Sequence, residues 1–589
     1  MARHRIRRSG AALLAAALAA ASLPAHAQGT APAGQDATMV RLIELLVQNG
    51  VLARDQAQAL MAQAQREAGT ARPAPRPAAP RGATPASATP ASAALAPAAA
   101  AEPPAGAVRV TYVPEAVRRQ IADEVRRDLA GTGGLPPVRP LARMGETTAE
   151  RPAGQLTDNI RLWGDLRMRG EGVFFPRGNA TGIFPNFNAI NNSTGFDTNG
   201  ANNAPFANVT DNRTRFRLRA RTGIDVTISD GVSLIIGAAT GNDSSPVSTN
   251  QTLGSPGNFS KYSLWLDRAY FHLQPLAGVA VDIGRFPNPF FSSPLLYHPD
   301  LNMDGVAAQG RRAVSEDVTL FGTVGAFPVF NTAFDFGTTN TAKYGSRDAY
   351  LGAAQAGVDW RAHPEVATRF AVGYHAFINS EGKISRPCYQ PGTSDSCSTD
   401  NTRPLFTQGG NTMFALRDNV LTSSASPNLQ YYGLASAFRV VDINARADIT
   451  SFGPYTIRLD GTALYNTAYD SKRIAGRNPV NNLGANSSRF QGGGAGYLAR
   501  VSIGEMDVAK AWDWNVFAEY RYLQSDAVID AFNDSDFRLG GTNSQGYILG
   551  GTVGVARNTL VRGRWLSGRE VTGAPYRADV LQVDLLGRF

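Results

Sequence analysis

Arg213, Arg215, Arg217, Arg219 and Arg221 stand at every second position of the run from Asn212 to Ile228, with Phe216, Leu218, Ala220, Ile224, Val226 and Ile228 between and beyond them. A row of guanidiniums at that spacing is either offset by acids brought from elsewhere in the chain or left to draw anions. Period two puts all five on one face of a strand, whereas 3.6 residues per turn would scatter them around a helix. Arg161, Arg167 and Arg169 alternate in the same way with Ile160, Leu162, Leu166 and Met168, and Arg458, Arg521, Arg562 and Arg564 take polar positions in later alternating runs.

Acids that could answer this row stand in the stretch 287–315, which is rich in Pro and Phe and hence stiff, and which carries Asp300, Asn302 and Asp304, with Asp317 just beyond. It is the candidate for a loop folded into a channel, where its acids would narrow the passage and set its field. Asp300, Asn302, Asp304 and Gly305 also imitate the start of a calcium loop, but the twelfth position is Arg311 where a Glu is needed, so an exposed acidic turn is the plainer reading. His272, His298, His363 and His375 are the histidines beyond the leader, and none falls into a metal-ligand spacing. With no P-loop or dinucleotide fingerprint either, neither an enzyme nor a cofactor is expected.

The elements that must position these residues follow from the chain in order. Residues 1–27 read as a secretory signal: a basic start, the apolar run Ala11 to Ala21, and a small-x-small end at Ala25-His26-Ala27. The pattern over 28–69 predicts a helical hairpin, with Leu42, Ile43, Leu45 and Leu46 on one apolar face and Ala57, Leu60, Met61 and Ala64 on the next. An Ala/Pro-rich linker fills 70–107, an amphipathic helix 108–131 carries Val117, Ile121, Val125 and Leu129 four apart, and a second linker spans 132–158. Beyond the signal no apolar run is long enough to cross a membrane as a helix. The formal charge of +9 falls to +5 without the four arginines of the leader, which does not argue for nucleic acid. Cys388 and Cys397, nine residues apart among Ser, Pro, Gly and Asp, suit one loop disulfide in an oxidising compartment.

From 159 to 589 the chain reads as strands of period two. Trp514, Val516, Ala518, Tyr520 and Tyr522 alternate with Asn515, Glu519 and Arg521, and Leu581, Val583, Leu585 and Phe589 alternate with Gln582, Asp584 and Arg588. A two-sheet sandwich would alternate as well. Against it stand the charges on strand after strand, the aromatic residues that end the apolar faces, and connections that are short and long by turns. The short ones include 229–231, 275–278 and 452–455, and the long ones 171–212, 287–315 and 379–430. Those features predict an all-β transmembrane barrel, antiparallel, of about 16 strands if Val329 to Phe336 is counted, since hydrocarbon admits only a closed sheet. A lipid-facing arginine near the midplane costs ~2–4 kcal/mol, so the arginines are expected to face the lumen.

The terminal run Val580 to Phe589, closing on an aromatic residue, resembles the signal that the barrel assembly machinery reads in Gram-negative porins. The chain resembles the porin superfamily and, within it, the family labelled "putative porins". The residues that carry this are Val108-Arg109-Val110 through Tyr112-Val113-Pro114-Glu115, the strand Arg213 to Ile228, and Gly284-Arg285-Phe286-Pro287-Asn288-Pro289-Phe290 continuing to Asp300-Leu301-Asn302-Met303-Asp304-Gly305. The resemblance implies an outer-membrane barrel surrounded by lipid, passive transport of small hydrophilic solutes, and a homotrimer, with the helical N-terminal region in the periplasm. Anions are the cargo that the arginine row favours. The rival reading is a structural or adhesive barrel, plugged, whose N-terminal helices grip the cell wall or a partner.

Overall fold

The computed structural model describes residues 159–589 apart from 200–203, 338–340, 342, 390–394, 421–427 and 485–487. The expected signal, helical hairpin, linkers and amphipathic helix all lie outside the described residues.

Sixteen long strands follow one another around a closed antiparallel barrel. The first eight are β1 (Ile160–Phe174), β2 (Arg213–Ser229), β3 (Val232–Ala239), β4 (Trp265–Leu276), β5 (Val279–Pro287), β6 (Asn302–Ala313), β7 (Val318–Phe330) and β8 (Ala349–His363). The rest are β9 (Val366–Ile378), β10 (Phe438–Phe452), β11 (Tyr455–Asn466), β12 (Ala495–Gly504), β13 (Trp514–Leu523), β14 (Ser544–Ala556), β15 (Thr559–Glu570) and β16 (Arg577–Arg588). Each pairs with its neighbours in sequence, and β1 closes the ring by pairing with both β2 and β16. A short strand, Gln251–Thr252, extends the edge of β2.

The two faces of each strand are sorted in the reverse of a water-soluble core. On β1, Leu162, Leu166 and Met168 are exposed while Arg167, Arg169 and Glu171 are buried. On β16, Leu581, Val583 and Leu585 are exposed while Gln582 and Asp584 are buried. Buried charge beside exposed aliphatic surface is stable only where the outer solvent is hydrocarbon, because in water the exposed apolar face would be the costly one. The C-terminus belongs to the ladder: the amide and carbonyl of Phe589 bond to the carbonyl and amide of Gly164. Its ring lies so close over Gly164 that a Cβ there would sit 2.5 Å from the ring edge, so only glycine fits.

Tight turns join the strands at one rim, as at Ser229 to Val232, where Gly231 has φ 73°, and at Phe452 to Tyr455. The other rim carries the long connections, among them 175–212, 240–264, 379–437, 467–494 and 524–543. Several of these fold back inside. Phe187, Ile190, Val247, Leu295, Leu296, Met413, Leu434 and Ile529 from five connections form one apolar cluster with inward-facing strand residues such as Phe286, Phe327, Phe377 and Phe438. Cys388 and Cys397 are joined within 379–437, their Cα atoms 5.9 Å apart.

Two expectations need correction. Val329 to Phe336 is not a strand of its own: β7 ends at Phe330, the Thr332 amide is taken by Asp348, and Phe336 closes a turn onto Ala333. The barrel reaches sixteen strands without it. The stretch 287–315 is not one loop either, because β6 occupies Asn302–Ala313 and pairs fully with β5 and β7, leaving 288–301 as the inserted segment.

Candidate pore constriction

The ladder between β1 and β2 sets Arg167 opposite Arg219, Arg169 opposite Arg217, Glu171 opposite Arg215 and Asp165 opposite Arg221. Like charges directly opposed on one face destabilise a sheet, so this wall needs acids, and it draws them from three places. The first is the wall itself: Asp165 accepts from Arg219 (2.8 Å) and Arg221 (2.7 Å), and Glu171 lies 2.5 Å from Arg215 and 3.5 Å from Arg217. The second is β16, whose Asp584 accepts from Arg169 at 2.6 Å. The third is the inserted loops. Asp300 of 288–301 meets Arg219 at 3.2 Å and Arg221 at 3.0 Å, and Asp536 of 524–543 meets Arg169 at 3.1 Å and Arg564 at 2.7 Å.

The band continues round the barrel. Glu519 of β13 pairs with Arg521 and lies 3.7 Å from Arg500 of β12, while Asp534 accepts from Arg521 at 2.5 Å. Arg562 of β15 donates to the Thr552 hydroxyl at 3.3 Å. On the arc from β12 through β16 to β2, with the two inserted loops, Arg167, Arg169, Arg215, Arg217, Arg219, Arg221, Arg500, Arg521, Arg562 and Arg564 set ten positive charges against seven carboxylates: Asp165, Glu171, Asp300, Glu519, Asp534, Asp536 and Asp584. Asp460, opposite Arg500, is taken by Arg446 of β10. The excess is three, held on one side of a polar ring between the apolar cluster at the long-loop end and the short-turn mouth. Arg458 is paired with Asp448 at 2.6 Å on β11 and β10, and Arg161 with Asp225 at 2.9 Å at the short-turn mouth, so both lie outside this ring.

Two loops deliver the missing acids, and they hold each other in place. His298 donates its backbone N–H to the Phe532 carbonyl (2.7 Å), its Nδ1 accepts from the Asp300 amide (2.9 Å), and its Nε2 lies 3.3 Å from the Ser535 hydroxyl. The Asp534 amide donates to the Pro294 carbonyl. Against the wall, Gln355 of β8 bonds both the amide and the carbonyl of Phe291. Tyr297 meets His375 at 3.0 Å, and His375 in turn meets Asp442 at 3.0 Å, all three fully buried. On the other loop, Asp526 accepts from the amide and hydroxyl of Thr412, and Asp530 from the Gly409 amide. Burial with no cation in contact pushes the Asp526 carboxyl up to about 6 and the Asp530 carboxyl up to about 7.

Of the four residues read from the sequence for the inserted loop, only Asp300 reaches the arginine row. Asn302 lies on β6 and donates to Asp267 (2.8 Å), Asp304 forms an exposed pair with Arg285 (2.8 Å), and Asp317 sits in the short turn between β6 and β7 on the opposite rim. Because β6 begins at Asn302, Asp300, Asn302 and Asp304 go to three separate partners instead of one ion. Among the described residues no group of three or more His, Cys, Asp or Glu could hold a metal. Sequence reasoning missed Asp534 and Asp536. Their signal is the run Asp526 to Asp536, in which acids alternate with Ala, Val, Ile and Phe inside a connection, a pattern that a merely solvated loop would not need.

Residues 36–589 match the family described as "Putative porin". No curated protein matches the chain. Among solved structures it is similar to the outer membrane channel DcaP of Acinetobacter baumannii, with 10% identity over 73% of this chain and 97% of that one, at a TM-score of 0.33. It is also similar to OprB of Pseudomonas putida at high pH (9%, 74% and 95%, TM-score 0.38) and to OmpF of Salmonella typhi in complex with daunomycin (8%, 73% and 97%, TM-score 0.35). With nearly its whole length matched, and with a sixteen-strand barrel that turns its charges inward, the chain belongs to the putative porin family of outer-membrane channels.

Proposed function

We propose that the barrel lets small hydrophilic solutes diffuse passively across the outer membrane and favours anions among them. The observation that carries the preference is the surplus of arginine in the ring, ten against seven, in a lumen where low dielectric makes each unit of charge count for more than it would in bulk water. β1 begins and β16 ends on the short-turn rim, which supports a periplasmic N-terminal region and exposed long loops. Assembly by the barrel machinery through Phe589, and a homotrimer, rest on the family resemblance. The test is the reversal potential of the full-length protein in a planar bilayer under a salt gradient. Anion preference that weakens in Arg217→Ala and Arg219→Ala is expected; cation preference unchanged by either substitution removes the proposal.

A second reading has one observation behind it. The apolar cluster of loops fills the long-loop end, as a plugged barrel that serves as a tether would have it. Conductance separates the two, because a tether needs none. Deleting 28–150 would abolish attachment under the tether reading, and alter assembly at most under the channel reading.

A further inference from the structure

Two guanidiniums of the arginine wall keep a buried N–H with nothing to bond. The Nε atoms of Arg167 and Arg217 are shielded from solvent and have no hydrogen-bond partner among the described residues. Arg167 is only 9% exposed, makes no ion pair among the described residues, and spends one Nη on the Asn250 side-chain oxygen. Arg217 places one Nη 3.4 Å from the Ser248 hydroxyl and the other 3.5 Å from Glu171, a carboxylate that Arg215 holds more closely. Ser248 and Asn250 bond each other at 3.3 Å. From adjacent strands, then, the two arginines converge on one three-residue stretch of the β3–β4 connection.

Arg167 has Asp300 and Asp584 near it but pairs with neither among the described residues, and Arg217 holds only the far side of a Glu171 carboxylate already taken by Arg215. Both guanidiniums therefore remain under-answered in a buried setting where another anion would stabilise them. The planar fork of arginine offers Nε and Nη along one edge, a geometry that fits two oxygens of a carboxylate or phosphate and that a spherical halide cannot match. Arg217 is partly open to water, with a side-chain exposure of 13%, so a solute in the lumen meets the outer part of its guanidinium first and engages the shielded Nε only as the side chain turns toward it. We propose that Arg167 and Arg217, with Ser248 and Asn250 behind them, form a saturable binding site for a small oxyanion: the carboxylate or phosphate group of a permeating solute. The site deepens the anion reading above and rests on it for its role in transport, but its occupancy can be measured without any current.

The experiment is thermal unfolding of the full-length protein in detergent, titrated with sodium phosphate, sodium acetate or sodium chloride at matched ionic strength. Phosphate or acetate raises the midpoint along a saturating curve and chloride does not; which oxyanion is the stronger tells phosphoryl from carboxylate recognition. Arg167→Gln keeps the hydrogen bond to Asn250 within reach and removes an unpaired buried charge, so the variant folds, yet its half-saturating concentration rises by about tenfold. Arg217→Gln behaves alike, and Arg285→Gln, at an exposed pair elsewhere, responds as the parent does. An oxyanion response no larger than that of chloride, or an equal response in all three variants, overturns the site. Cation preference in the bilayer with this response intact sinks the transport reading and leaves the site; anion preference without the response does the opposite.

Discussion

The loops 288–301 and 524–543 do the same work from seats of different balance. The first is anchored by apolar side chains: Phe290, Leu295, Leu296 and Tyr297 are buried against Phe286, Phe327 and Phe377, and a single acid, Asp300, is carried out to Arg219 and Arg221. The second buries Ala527, Val528, Ile529 and Ala531 in the same cluster but adds a set of polar anchors that the first does not match. Asp526, Asp530, Asn533 and Thr542 are buried against Gln408, Gly409, Asn411 and Thr412 of another connection, and the stretch between these anchors carries Asp534 and Asp536 to Arg521, Arg169 and Arg564. Both seats deliver carboxylate to guanidinium. What differs is the force that holds the carrier, and therefore the conditions under which it lets go.

The largest effect is expected where the polar carrier meets the wall. Asp536→Ala leaves half-buried Arg564 without its carboxylate and takes one of three from buried Arg169, and breaking such a pair costs up to about 3–5 kcal/mol. Denaturant unfolding in detergent reads it; a loss below ~1 kcal/mol would mean the loop does not depend on this contact. Next comes the apolar seat: Leu296→Ala empties a site that is 2% exposed, at a cost of about 2–4 kcal/mol. That loss should be the same at pH 5 and pH 8, because hydrocarbon does not titrate. A loss that changed with pH would erase the contrast between the two seats.

The polar seat, by contrast, should weaken as pH rises. Asp526 and Asp530 hold their protons to about 6 and about 7 in the fold, whereas in the unfolded chain a carboxyl gives its proton up near 4. Over that interval the native state binds more protons than the unfolded one, so the stabilisation is whole below about pH 4 and is lost as pH climbs through 6 and 7. Between pH 5 and pH 8 the wild type should lose about 1–3 kcal/mol more than Asp530→Asn, whose amide stays neutral throughout. Parallel profiles for the two proteins would show that Asp530 is already ionised, and the loop would then be pH-indifferent like its partner.

Much of this architecture was legible from local pattern. Alternation at period two places Arg167, Arg169 and Asp584 on one face and Leu166 and Leu585 on the other whatever the partners are, and the barrel keeps that assignment strand by strand. Loop insertion is a different matter, since it is decided by contacts far apart in the chain. Asp536 reaches Arg169 across 367 residues, and nothing near either one announces the other. The end of the inserted segment is hidden for a local reason: Asp304-Gly305 has the composition of a turn, but Gly305 adopts φ 139° inside β6, where Ala326 of β7 crowds it, and the strand runs on through it. His298 was visible but mute, because its two neighbours are a loop carbonyl and a serine more than two hundred residues away.

The smallest effect makes the sharpest comparison, because it sets two acids four residues apart against each other. Asp304 pairs with Arg285 in an exposed position, where solvent screens the attraction, so Asp304→Ala should change stability by no more than about 1 kcal/mol. It should also leave the reversal potential alone, since the pair is not part of the arginine ring. Asp300→Ala removes a buried carboxylate shared by Arg219 and Arg221, raising the surplus in the ring from three charges to four and shifting the reversal potential further toward anions. If Asp304→Ala moved the potential as far as Asp300→Ala, charge anywhere near the mouth would govern selectivity, and the ring would lose its special standing. If neither moved it, ions would be passing where Asp300 cannot be felt, and the constriction would have to be sought on another wall of the barrel.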